Sequence, residues 1–254
     1  MDQYPNQRNS ESPSEERQYS RRRVIASWTL HAYTALGLPI NLLSMWYLTQ
    51  KQASYFFALN LLAVFVDSTD GVFARKLKVK EVIPHFDGAK LDDLIDYLTF
   101  TFLPVLSLLY LDLVPFTLWP LLGVVLMSSA YGFCQTSAKT EDAFVGFPSY
   151  WNIVVVHIYL LDPPLLLTAG ALLFFSILTF IPIHFVYPTR CQMLMKTTLI
   201  GGALYAVALA YAVFAPPSDA QWWVARGSLI YGAYYFIISA VHHRRTQRAL
   251  RVEG

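Results

Sequence analysis

Ser54 to Arg75 reads SYFFALNLLAVFVDSTDGVFAR: an uncharged apolar run, then Asp67 and Asp70 before the first arginine. A helix needs about 20 mostly apolar residues to cross a ~30 Å hydrocarbon core, so this stretch reads as a membrane span whose last turns carry acids. The whole chain agrees. Of its 254 residues 55% are hydrophobic and 14% charged, against roughly 25% charged in soluble domains, which argues against a soluble enzyme. The net charge of +2 gives no reason to expect a nucleic-acid partner. Cys134 and Cys191 form no CxxC pair and read as free packing thiols. The polar start and the lack of a small-residue cleavage site behind the first apolar run speak against a removable signal peptide.

Working outward, further spans fall near Leu30 to Thr49, Leu91 to Leu111, Val114 to Gln135, Trp151 to Leu161, Leu165 to Val186, Thr197 to Ala215 and Trp222 to Val241. With Ser54 to Ala74 they make about eight, an all-α polytopic helix bundle. The fifth is short and borrows Phe147 to Tyr150, and Asp162-Pro163-Pro164 breaks the chain before the sixth. Lysine and arginine stay on the cytoplasmic side in short loops. An even number of spans with both termini cytosolic puts every Lys and Arg there except Lys51 and Arg226. Residues 1–28 read as a tail, disordered over Met1 to Glu11, in which Ser12 to Trp28 is either an arginine-rich interfacial helix or a positive-inside anchor with no further role. Residues 29–243 form a single transmembrane domain and 244–254 a basic cytosolic tail.

A carboxylate at mid-membrane costs on the order of 2.5–3.5 kcal/mol, and intramembrane acids are mostly functional. At 100° per residue Asp67, Asp70, Gly71 and Ala74 share one helical face, and Asp92 and Asp96, four apart, share a face on the next helix. Two adjacent antiparallel helices thus aim four carboxylates into one space near the cytosolic surface. Such charges repel unless protonated or bridged, and oxygen ligands favour two hard cations, Mg²⁺ or Mn²⁺. Gly71, Ala74 and Gly88 keep that face open. Asp93, Asp87 and Glu81 suit solvated helix ends, and Asp112, Asp162 and Asp219 suit outer loops.

The order Asp67-x2-Asp70-Gly71-x2-Ala74-Arg75, then Gly88-x3-Asp92-x3-Asp96, resembles the signature of the CDP-alcohol phosphotransferases, integral membrane enzymes that pass a phosphoryl group from a CDP-linked donor to an alcohol. Most members have eight residues between the Arg and the Gly; here Lys76 to Asp87 make twelve. That spacer, His85 to Tyr97 and Gly146 to Asn152 are similar to the bacterial branch whose acceptor is choline.

The resemblance implies that Asp67, Asp70, Asp92 and Asp96 hold two divalent cations and that Asp96 is also the general base. It implies a CDP site of Asp67, Asp70, Gly71, Ala74, Arg75 and Gly88, with Arg75 on phosphate or on a carboxylate. The substrates would be CDP-diacylglycerol and choline, in a multi-pass protein of the bacterial inner membrane whose active site faces the cytoplasm, with a homodimer as the assembly allowed. Arg190 would steer the lipid phosphate or act as a positive-inside anchor. Choline is a quaternary ammonium, held by aromatic faces, and Tyr97, Tyr150, Trp151 and Tyr187 are the candidates, although each also suits an interfacial belt. The histidines lack metal-ligand spacing. Competing expectations are a family member with serine, glycerol phosphate or inositol as acceptor, a cation or proton transporter, which would spread its acids across the membrane, and an inert scaffold.

Overall fold

The computed structural model describes residues 19–253. Helices α1 (Arg21–Ala35) and α2 (Gly37–Thr49) run almost end to end, parted at Leu36. Pro39 has no N–H for the carbonyl one turn earlier, which breaks the ladder there. A turn through Lys51, in the left-handed region at φ 55°, leads into α3 (Ala53–Leu77), which carries the opening stretch as one unbroken helix. The twelve-residue spacer is a built reversal. Lys78 ends α3 at φ 51°, and the short α4 (Val79–Val82) comes next. Val79, Val82 and Ile83 are buried, and the Phe86 ring lies 4.5 Å from that of His31 and 5.2 Å from that of Trp28 on α1. Asp87 then caps α5 (Gly88–Asp96), accepting the Lys90 N–H at 3.1 Å and satisfying one orphan donor of the first turn.

Directly after Asp96 the helix widens into a π turn, Tyr97–Phe102, before α6 (Leu103–Tyr110). A short 3-10 turn, Phe116–Leu118, opens α7 (Trp119–Cys134). The bundle is completed by α8 (Trp151–Leu161), α9 (Leu165–Leu178), α10 (Met195–Phe214) and α11 (Asp219–Glu253). Among the described residues, five helical stretches are long and apolar enough to cross a membrane: Ala53–Leu77, Gly88–Tyr110, Phe116–Cys134, Met195–Phe214 and Asp219–Ala249. Helices α8 and α9 are apolar but shorter. Leu42, Met127, Leu166 and Ile230 each expose more than 70% of their surface. A soluble monomer seldom carries such a belt; this is the lipid-facing side of an all-α membrane bundle.

One expectation is corrected. The sixth run does not continue to Val186 as helix: α9 stops at Leu178, and the chain passes Pro182 into an extended strand. That strand, β2 (His184–Val186), pairs antiparallel with β1 (Ala143–Val145) in the register Ala143 to Val186 and Val145 to His184. Proline cannot donate to a helical ladder, and it pushes the residue before it toward extended backbone. At the N-terminus α1 begins at Arg21 and runs without a break to Ala35. Residues 1–18, with the expected tail and the first half of the interfacial helix, lie outside the described residues.

A contiguous buried cluster, including Leu48, Phe56, Leu108, Trp151, Leu172 and Val213, joins these helices. On α3 it reaches Phe57, and on the π turn and α6 it reaches Leu103. Toward the aspartates the buried apolar residues Val66 and Ile95 are separate from it.

Candidate active site

The α3 and α5 faces meet as their spacing requires. One oxygen each of Asp67, Asp70 and Asp92 lies within 4.8 Å of the others, and the same holds for Asp92, Asp93 and Asp96. Asp92 thus belongs to both groups. Asp70 is buried and the others are half-buried. Helix α1 closes one side, with the Tyr33 and Thr69 hydroxyls 2.8 Å apart.

In the sequence Lys139 carries no signal beyond that of a positive-inside anchor. From the loop after α7 it reaches into the acids, its Nζ 2.7 Å from Asp93 Oδ1 and 3.9 Å from Asp96 Oδ2. Desolvation works to lower its pKa, yet the Asp93 hydrogen bond and the charges of Asp96, Asp93 and Asp92 outweigh it and hold the ammonium well above its ordinary value. Asp93 is therefore a paired member of the cluster and not a plain solvated helix end. Nothing in the local spacing announces either residue, because the contact spans 46 positions and depends on how the loop folds back.

Beside Gly71 the space is open except for Arg75, whose Nη1 would stand 3.4 Å from an added Cβ. Gly88 is different: a Cβ there would meet the His31 ring, with Nδ1 at 3.0 Å. The missing side chain at Gly88 lets α1 pack close, and the room it makes is taken by His31. Ala74 lies one turn beyond Gly71 on the same face.

The four aromatic candidates separate. Tyr150 sits among Phe100, Phe144 and Tyr235, with ring centroids 6.0–6.2 Å away. Tyr187 stacks on Phe144 at 4.4 Å and carries the Arg190 guanidinium 4.4 Å from its centroid, so much of its π surface is in use. Burial raises the Tyr187 hydroxyl pKa, against the lowering pull of Arg190 and Lys139. Tyr97, the first residue of the π turn, donates to the Leu126 carbonyl at 3.1 Å. Trp151 has no exposed surface; its Nε1 donates to Ser129 Oγ at 2.6 Å and its ring packs edge-on to Phe147 and Phe175. It is a core side chain with no free face. Tyr235, which donates to the Val186 carbonyl, extends the aromatic wall, and no sequence signal singles it out.

A second group, Asp142, Cys191 and His242, gathers beside a cavity of about 520 Å³ that Arg190 and Arg245 also line. Asp142 Oδ2 is 3.5 Å from His242 Nε2, and Cys191 Sγ is 3.9 Å from its Nδ1. The two flank opposite nitrogens of one ring, which suits a strap between loops better than ligands around one ion.

No protein-family model matches the chain. Curated proteins do. It is 34% identical over 230 residues to the phosphatidylcholine synthase of Legionella pneumophila, covering 86% of this chain and 89% of that one. Against the phosphatidylcholine synthase of Borreliella burgdorferi it is 32% identical over 222 residues, with 86% and 94% covered. Against that of Pseudomonas aeruginosa it is 34% identical over 195 residues, with 76% and 82% covered. With four aspartates, two glycines and an alanine at the signature positions of two neighbouring helices, and relatives aligned over most of its length, the chain belongs to the phosphatidylcholine synthase family of CDP-alcohol phosphotransferases.

Proposed function

We propose that the protein is a phosphatidylcholine synthase, transferring the phosphatidyl group of CDP-diacylglycerol to choline and releasing CMP. The observation that carries this reading is the meeting of Asp67, Asp70, Asp92 and Asp96, from α3 and α5, in one space. The donor set is carboxylate oxygen throughout, which fits Mg²⁺ or Mn²⁺. Bound there, such ions neutralise charge on the transferring and leaving oxygens. Asp67, Asp70 and Asp92 bind them and orient the diphosphate. Asp96 completes the set and takes the proton of the choline hydroxyl as its oxygen attacks the lipid-side phosphorus and the bond to CMP breaks. Gly71 and Ala74 leave room for the CDP group, and Arg75, lying along Gly71, contacts its phosphates. Gly88 serves that site indirectly, through the packing of α1.

Tyr97, Tyr150 and Tyr187 offer the aromatic wall for the quaternary ammonium, and Arg190, stacked on the Tyr187 ring, meets the lipid phosphate. The membrane layout goes with this chemistry. Eight spans are counted by taking α1–α2 as the first and α8 and α9 as the fifth and sixth, with both termini and the aspartates cytosolic at the inner membrane. Arg75, Lys76, Lys78, Lys80 and Lys90 at the acidic end support that orientation. Residues 29–243 make up the catalytic domain, and a homodimer is the proposed assembly.

Purified protein with CDP-diacylglycerol, labelled choline and Mn²⁺ tests the reading: labelled lipid and CMP should appear in equal amounts. Label incorporated from serine, glycerol phosphate or inositol, with none from choline, would overturn it.

A further inference from the structure

The buried polar groups beneath the acidic site take no part in the proposed chemistry, and they gather at one turn. In the π turn Leu103 donates its N–H to the Leu98 carbonyl, so Thr99 loses its usual i+4 donor. The next residue in line, Pro104, has no N–H to give. A buried carbonyl needs a partner from elsewhere. Asn60 of α3 supplies it, Nδ2 lying 2.7 Å from Thr99 O. From the other side Asn41 of α2 donates Nδ2 to Thr99 Oγ1 at 2.8 Å, while its own Oδ1 has no partner among the described residues. That amide stands there for its donor. Asn41, Asn60 and Thr99 are 3%, 5% and 1% exposed.

Their placement gives the contact its meaning. Asn60 precedes Asp67 by two helical turns on the same face of α3, and Thr99 comes three residues after Asp96. The bond therefore joins the two acid-bearing helices just beyond their acids. A π turn also adds a residue to the helix, rotating the segment before it by about 100° against the segment after it. Leu103 and Leu108 fix the later segment in the core, so the wide turn sets the direction of Asp92 and Asp96.

We propose that Asn60, assisted by Asn41, is a positioning residue for phosphatidyl transfer: by capturing the Thr99 carbonyl it holds the π turn and so sets how Asp92 and Asp96 meet Asp67. The inference rests on the activity proposed above. Asn60→Leu keeps the bulk and removes the donor. Its choline turnover per folded molecule should fall roughly 10- to 100-fold, the scale of a misplaced catalytic group, with choline KM within about twofold. Its Mn²⁺ affinity, read by electron paramagnetic resonance titration without substrate, should weaken about fivefold or more. Thr99→Ser keeps both bonding atoms and should match the parent. Pro104→Ala supplies an N–H beside the orphaned carbonyl and should return part of the loss in Asn60→Leu. Ser128→Ala, which removes an equally buried hydroxyl bonded to Val125 O, should leave turnover per folded molecule unchanged. If Asn60→Leu does not fold, Asn60→Ser, too short to reach the carbonyl, is read by the same two measurements. Parental turnover and Mn²⁺ affinity in the folded variant would overturn the positioning role. A parent that makes no lipid from choline would instead sink the activity, and the Mn²⁺ titration would still judge the inference.

Discussion

At the scale of single residues, Asp96 and Lys139 face each other across the acidic cluster with different work to do. Asp96→Asn keeps shape and one oxygen ligand but loses the base. Choline transfer should fall by roughly 10² or more while CDP-diacylglycerol still binds in an equilibrium assay with Mn²⁺. Near-normal turnover at saturating metal would leave Asp96 as a ligand only. Lys139 places a fixed positive charge where divalent cations are to bind, so the sign of its removal is set by repulsion. Lys139→Gln should lower the Mn²⁺ concentration for half-maximal activity by roughly three- to tenfold, the scale of about 1 kcal/mol between partly screened charges. An unchanged or higher requirement would place the ammonium outside the field of the metals. Trp151 carries the opposite lesson. Trp151→Ala should cost about 3–5 kcal/mol of stability, as large core truncations do, and leave choline KM close to the parent in whatever folds. The motif acids are legible in the sequence because their spacing matches helical periodicity. Trp151 is not, because a tryptophan near a span end has the same sequence context whether it faces headgroups or core.

Among the elements, the β1–β2 strap is where pH should act. His184 packs against His243, with Nδ1 atoms 3.0 Å apart. Burial, first, and the neighbouring charges of His243 and His242 lower the His184 pKa below its ordinary 6.5. A base with a lowered folded-state pKa binds protons more readily unfolded, so its contribution is full above about pH 6.5 and fades as pH falls toward the folded value. The strap should loosen on going from pH 7.5 to 5.5, seen as faster hydrogen exchange at Phe185 and Val186. His184→Phe should remove most of that dependence, and an equal loss in the variant would assign the effect elsewhere. Neither this strap nor the π turn can be read from sequence. The run from Leu165 to Val186 is apolar throughout, so hydropathy is blind to where helix becomes strand, and only Pro182 hints at it. Pairing between residues 39 to 43 apart leaves no local pattern, and a single i→i−5 turn falls below the resolution of a 3.6-residue period.

For the molecule as a whole, α11 gives the sharpest test of layout. It is one helix from Asp219 to Glu253, and at 1.5 Å per residue Ser218 and Thr246 lie about 42 Å apart along it, more than the ~30 Å core. With Cys134 and Cys191 replaced, a cysteine at Ser218 should react with impermeant reagent from outside and one at Thr246 only from the cytosol. Labelling of both from one side would refute the proposed orientation. The five long apolar helices are legible because apolar length is a whole-segment property that survives errors at the ends. The uneven core has a mechanical consequence. On α3 and α5–α6 the contiguous apolar cluster ends at Phe57 and Leu103; beyond lie the Asn60–Thr99 bond and then carboxylates that push one another apart. The pair is built like a clothes-peg, gripped at the far end, pivoted in the middle and sprung open at the jaws, where Lys139 pairs with Asp93 and Asp96 of one jaw only. Divalent cations would be the fingers that close it, so chelation should quicken protease cutting of the 135–142 loop while α8 to α10 stay intact.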